Sequence, residues 1–329
     1  MSEIDFAGEQ TADKGGGARV VVAALVVNVV IAVCKFIAAA LSGSTAMLAE
    51  ACHSLADTGN QIFLLVGMRL SARPPDQKHP FGYGPETYFW AFIVALCIFA
   101  VGGAFSIYEG AHKIFGADRH GELPNPLSAY VVLGASMLLE SYSLSVAMRE
   151  FRHLRRGRGI RATLLAARDP TVLTVLFEDL AALFGLVVAF GGIALTRLTG
   201  RLLWDGAASI VVGLGLVTVA ALLARDAKSL LIGRSVPEAE QARIVAIAGA
   251  ARDVLAVIHV RTIHLGPRDV MAGLKLTFNP ALDVRTLEAR INELEASLRS
   301  ALPHLTRIYV EPGFDERPTR GESVDGQAT

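Results

Sequence analysis

Six apolar segments, each near the roughly 20 residues that a helix needs to cross a bilayer, set the limits on what this chain can fold into. They run Val20–Leu41, Thr45–Leu70, Thr87–Phe115, Leu127–Met148, Thr171–Thr196 and Leu202–Leu223. Inside hydrocarbon the backbone has to satisfy its own polar groups, so segments of this kind read as transmembrane helices. Hydrophobic residues make up 52% of the 329, too many for an ordinary soluble domain. The formal net charge is zero, which removes the bulk electrostatic case for a nucleic-acid partner. The three cysteines, Cys34, Cys52 and Cys97, all fall within the expected spans. They are too few and too scattered for a disulfide framework or a paired-cysteine metal site.

Basic residues set the expected orientation. Arg149, Arg152, Arg155, Arg156, Arg158, Arg161 and Arg168 follow the fourth span, and Arg73 and Lys78 follow the second. The connections on the opposite side are poor in them, so the positive-inside rule places both termini in the cytoplasm. The first span is not expected to be a cleaved signal, because the residues before it are polar, with Glu3, Asp5, Glu9 and Asp13. The expected organisation is a polar N-terminal tail (1–17), a six-helix membrane domain (18–225), a cytoplasmic domain (226–312) and a disordered polar tail (313–329).

The cytoplasmic domain reads as α+β. Glu238–Ala251 is helical in pattern, Val254–Ile263 and Val270–Phe278 alternate as strands around the Gly266-Pro267 break, and Val284–Leu302 is an amphipathic helix. Arg307–Val310 adds a short strand. A helix, two strands, a helix and a strand make a small sandwich one strand short of the ferredoxin-like pattern.

Two ionisable residues inside the second span carry the chemistry. His53 and Asp57 are four residues apart, so they share a helix face. At membrane depth such groups cost several kcal/mol, about 2.5–3.5 each on insertion scales, unless partners compensate. Imidazole and carboxylate are also ligands that a zinc-type divalent ion accepts. A polar pair that merely joins two helices is the alternative.

The run from Ser42 to Asn60 (SGSTAMLAEACHSLADTGN) together with His79–Gly84 (HPFGYG) resembles the cation diffusion facilitator family of divalent-metal transporters. Thr262–Pro267 and Glu311-Pro312 are similar to its C-terminal domain. The resemblance implies an α-helical membrane protein with six transmembrane helices and a cytoplasmic ferredoxin-like domain. It implies export of Zn²⁺ or a similar ion from the cytosol in exchange for protons, by a homodimer in the lipid bilayer, here in a bacterial plasma (inner) membrane.

It also implies a transport site built from the second and fifth helices. His53 and Asp57 fill the second-helix positions and Asp179 one fifth-helix position, while Val175 stands where the remaining ligand is usual. Glu178, on the same broad face, is the expected substitute. The run from Asp169 to Ala182 resembles the branch containing the mammalian ninth zinc transporter. Asn60, one turn beyond Asp57, can add an oxygen. An accessory loop site matches at Asp76 and His79, but its further histidine position is Tyr83. His259, His264 and His304 do not fall on the ligand positions of the family's C-terminal domain, which here read Ile258, Leu274, Tyr309 and Glu311. Glu140, Glu109, Lys35 and Asp205 are read as helix-packing or interfacial groups.

One imidazole with three carboxylates is a harder ligand set than a histidine-rich one, so manganese or ferrous iron is the alternative cargo to zinc. A non-transporting, membrane-anchored metal sensor or scaffold is a second alternative. No enzyme is expected, because the chain shows no nucleophile–base pair and no cofactor loop, and no cofactor is expected beyond the transported ion.

Overall fold

The computed structural model describes residues 4–42, 45–115, 126–155, 169–201 and 203–313. The chain divides into two units, residues 1–232 and 233–329. The first is helical: α1 Ile4–Ser42, α2 Thr45–Ser71, α3 Glu86–Cys97, α4 Phe105–Phe115, α5 Pro126–Arg155, α6 Pro170–Thr199 and α7 Leu203–Leu231. A π-helical stretch, Ile98–Ala104, joins α3 to α4 into one continuous rod. Four stretches among the described residues are long and apolar enough to cross a membrane: Gly17–Ile37, Glu86–Phe115, Pro170–Thr199 and Leu203–Leu231. The remaining two expected spans are helices of sufficient length, α2 with 27 residues and α5 with 30.

Helix α1 differs from the expected tail-then-span division, since it runs unbroken from Ile4 through the polar segment into the apolar one. Helix α6 has its ends written into the sequence. Asp169 caps it, its side chain accepting from the Thr171 amide at 2.9 Å, and Pro170 occupies the first turn, where a missing N–H costs nothing. Gly200, at φ +67°, closes the far end in the left-handed conformation.

The helices pack α1 on α2 and α5, α6 on α5 and α7, and the α3–α4 rod on α7. Their shared core includes Val21, Leu64, Val94, Leu173, Val175 and Leu176. Many large apolar side chains point outward instead, among them Val26, Val33, Phe99, Val187 and Leu214. A lipid-facing surface accepts such groups, because the acyl chains are as apolar as they are.

The rod approaches α7 backbone to backbone through glycine pairs. A Cβ on Gly110 would sit 2.5 Å from the Gly206 carbonyl oxygen, and one on Gly213 would sit 2.8 Å from that of Gly103. Backbone cannot move aside as a side chain tip does. Gly110→Ala is therefore expected to lower stability by roughly 1–3 kcal/mol. Thermal unfolding of the detergent-purified protein reads this, and an unchanged midpoint would show that the two helices are not so tightly joined.

The second unit contains α8 Glu238–Gly249, β1 Val254–Gly266, β2 Asp269–Phe278, α9 Val284–Ala301 and β3 Leu305–Pro312. Its mixed sheet has the order β1-β2-β3, β1 antiparallel to β2 and β3 parallel to β2. Parallel pairing requires a crossover, and α9 supplies it. Burial alternates along all ten residues of β2, so one face meets the core and the other does not. Ile244, Leu274, Leu276, Leu294, Leu298 and Leu305 fill that core. Asp283 caps α9 by accepting from the Thr286 amide at 2.9 Å.

Candidate metal site

Helices α2 and α6 meet through a carboxylate held by two amides. Glu178 Oε1 accepts from Asn60 Nδ2 at 3.0 Å and Oε2 from Gln61 Nε2 at 2.6 Å. All three residues are buried, with Glu178 9% exposed, Asn60 4% and Gln61 0%. Both carboxylate oxygens are thus fixed in direction, while each keeps lone pairs for a further partner. Gln61 Oε1 is buried and has no hydrogen-bond partner among the described residues.

The neighbouring Asp179 is 2% exposed. It accepts from Ser143 of α5, and its Oδ2 has no hydrogen-bond partner among the described residues. Asp57 lies within electrostatic reach of both Glu178 and Asp179. Glu140 of α5 belongs to the same group, acting on Glu178 and lying within reach of Asp57 and Asp179. Four carboxylates from three helices therefore lie within electrostatic reach of one another, Glu178 and Asp179 among them buried.

The sequence expectations meet this geometry unevenly. The structure brings Asp57, Asn60, Glu178 and Asp179 to one region. His53 is carried by α2, but its side chain lies outside the described residues. Val175 is fully buried in the apolar core, pointing to packing at that position. Among the described residues no three histidine, cysteine, aspartate or glutamate side chains stand close enough to hold one ion together. Two participants were not anticipated. Gln61 continues the stripe of His53 and Asp57 by another four residues, which is the signal that would have found it. The sequence places Glu140 among the packing groups, yet Ser136 and Ser143 lie one turn to either side of it, both buried.

The accessory loop residues have a different occupation. Asp76 Oδ1 accepts from the backbone amides of Lys78 and His79 at 2.9 and 2.7 Å, and Oδ2 accepts from the Tyr83 hydroxyl at 2.7 Å. His79 Nδ1 stands 3.7 Å from Asp76, and its ring lies against that of Tyr83 with centroids 4.3 Å apart. The hydroxyl of Tyr83 and the two amides hold the Asp76 carboxyl below its usual range, and Asp76 pushes the Tyr83 phenol up. A lowered carboxyl favours the folded turn above the ordinary carboxylate range, and that contribution is lost as pH falls through the lowered value.

Elsewhere, Lys113 bridges Glu109 at 2.9 Å and Asp205 at 3.0 Å, tying α4 to α7. In the second unit, Lys275 lies 2.8 Å from Glu311 and holds its carboxyl below the usual range. His304 pairs with Glu240, and His264 Nδ1 lies 2.8 Å from the Arg234 carbonyl oxygen. These histidines serve separate local contacts.

A helical domain with apolar spans and two adjacent buried carboxylates, Glu178 and Asp179, followed by a small α+β unit, defines an integral membrane protein of the ion-handling class. Residues 21–232 match the cation efflux transmembrane domain, and the chain belongs to the cation diffusion facilitator family. It is 34% identical over 275 residues to the proton-coupled zinc antiporter SLC30A9, mitochondrial, of Xenopus laevis, covering 83% of this chain and 48% of that one. Metal tolerance protein C4 of Arabidopsis thaliana is 32% identical over 279 residues, covering 84% and 60%. Magnetosome protein MamM of Paramagnetospirillum magneticum is 25% identical over 307 residues, covering 91% and 90%. The chain spans about half the length of the SLC30A9 relatives it matches.

Proposed function

We propose that this protein is a secondary transporter that exports a divalent metal cation, Zn²⁺ first, from the cytosol in exchange for protons. The observation that carries the reading is the group of carboxylates Asp57, Glu178 and Asp179, the last two buried, with Glu178 clamped by Asn60 and Gln61. Carboxylates at membrane depth are costly, and a divalent cation is the partner their chemistry favours. His53, Asp57, Glu178 and Asp179 are the proposed ligands, with Asn60 as an accessory oxygen donor. The family membership and the names of the SLC30A9 relatives support the zinc and proton assignments.

Proton exchange follows from the donor set. Metal needs ionised carboxylates and neutral imidazole, so ion and protons compete for the same lone pairs. An unperturbed imidazole titrates at about 6.5, within the range of cellular pH. The proposal includes six membrane crossings, with α2 and α5 among them, both termini in the cytoplasm, a bacterial plasma membrane, and a homodimer. It assigns the second unit to a ferredoxin-like pattern lacking one strand.

An Mn²⁺ or Fe²⁺ cargo is the second reading, favoured by the oxygen-rich group around Glu178. Uptake of zinc, manganese, iron and cobalt into proteoliposomes with an imposed pH gradient separates the two. Zinc uptake that depends on the gradient is expected. Preference for manganese or iron selects the second reading, and absence of uptake for all four metals leaves a non-transporting sensor or scaffold.

A further inference from the structure

We propose that Lys35 is a tethered cation of the carboxylate group, a fixed positive charge against which a divalent ion has to bind. Lys35 lies on α1, within an apolar stretch where Val27, Ile31 and Ala32 are buried, and is itself only 7% exposed. A lysine inside a span ordinarily extends its ammonium toward the interface. Here Nζ donates to Ser54 Oγ on α2 at 2.9 Å, one residue from His53. Glu140 lies within electrostatic reach of Lys35, and the same carboxylate is within reach of Asp57 and Asp179. The ammonium thus reaches Glu140 of α5 from the α1 side, and Glu140 in turn is within reach of Asp57 and Asp179.

Four carboxylates without a counter-ion are expensive in a medium of low dielectric. An ammonium is a compact point charge that offsets part of that cost when no metal is bound. When a divalent ion arrives, the same charge repels it. Lys35 therefore keeps metal affinity moderate, so that the ion can leave, and it acts on the ion through charge without ligating it. The inference rests on the transporter reading given above.

The test is metal binding by calorimetry on the detergent-purified full chain, using Zn²⁺ and Mn²⁺ in turn, paired with proteoliposome uptake. Lys35→Gln retains a donor for Ser54 and removes the charge. It is expected to tighten binding by about tenfold and to slow uptake at saturating metal. Lys35→Arg keeps the charge and is expected to stay near the wild type. Equal or weaker binding by Lys35→Gln overturns the proposal, and so does equal tightening by Lys35→Arg, which would point to packing. Should Lys35→Gln fail to fold, the comparison moves to Glu140→Gln with and without Lys35→Gln, where the second change restores the original balance of charge. Tightening by the second change supports the proposal, and its absence overturns it. A wild-type protein that binds and transports neither metal refutes the transporter reading itself.

Discussion

Glu178→Gln is expected to cut metal uptake by about tenfold or more, equivalent to about 1.4 kcal/mol or more in the transport barrier. The substitution keeps the shape of the side chain but changes two things at once. It removes a negative charge from the proposed ligand set. It also places an NH₂ group where Asn60 Nδ2 and Gln61 Nε2 both already donate. One amide of the three has to turn over, and a buried donor facing a donor costs about 1–3 kcal/mol until it does. Proteoliposome uptake and thermal unfolding, measured on the same preparation, separate the charge effect from the clamp effect. Normal uptake by this variant would remove Glu178 from the site and leave three protein ligands. Val175→His is not expected to rescue it, because position 175 is fully buried in the apolar core and a new imidazole there has no compensating partner.

Asp57→Asn and Asp179→Asn are each expected to abolish measurable uptake while leaving the protein folded, whereas Asp76→Asn is expected to leave uptake within about twofold. The difference follows from what surrounds each carboxyl. Asp179 is buried with an oxygen that no described group satisfies, and Asp57 acts electrostatically on every other acidic member of the group. Removal of either carboxylate would leave the proposed metal shell incomplete. Asp76 is exposed, and both its oxygens are already engaged by the turn it organises. Retained uptake by Asp57→Asn or Asp179→Asn would exclude that residue as a ligand. A large loss with Asp76→Asn would show that the loop takes part in transport after all.

Much of the secondary structure was legible along the chain because each element carries a local signal. Asp169-Pro170 and Gly200 bracket α6, Asp283 starts α9, and the alternation of Val270–Phe278 marks β2. The candidate ligands were legible for a related reason, since an ionisable residue in an apolar helix has few explanations. The π-helical stretch at Ile98–Ala104 was not legible, because its hydropathy is that of any apolar helix and only close packing of glycines against α7 distinguishes it. The role of Glu140 is hidden for the same kind of reason, since it depends on which helices lie opposite it, whereas Gln61 lies on the stripe that His53 and Asp57 begin.

By itself the sequence determined that this protein lies in a membrane, that its second and fifth apolar segments carry metal-competent groups, and that an α+β unit follows. Those properties depend on residue type and spacing, which are local. The tertiary structure alone decided that Glu178 is clamped by Asn60 and Gln61, that Val175 belongs to the apolar core, and that Lys35 lies within electrostatic reach of Glu140. It also decided that β3 lies parallel to β2. Each of these is a contact between residues far apart in the chain, and such contacts are fixed by how helices and strands pack rather than by the pattern within any one of them.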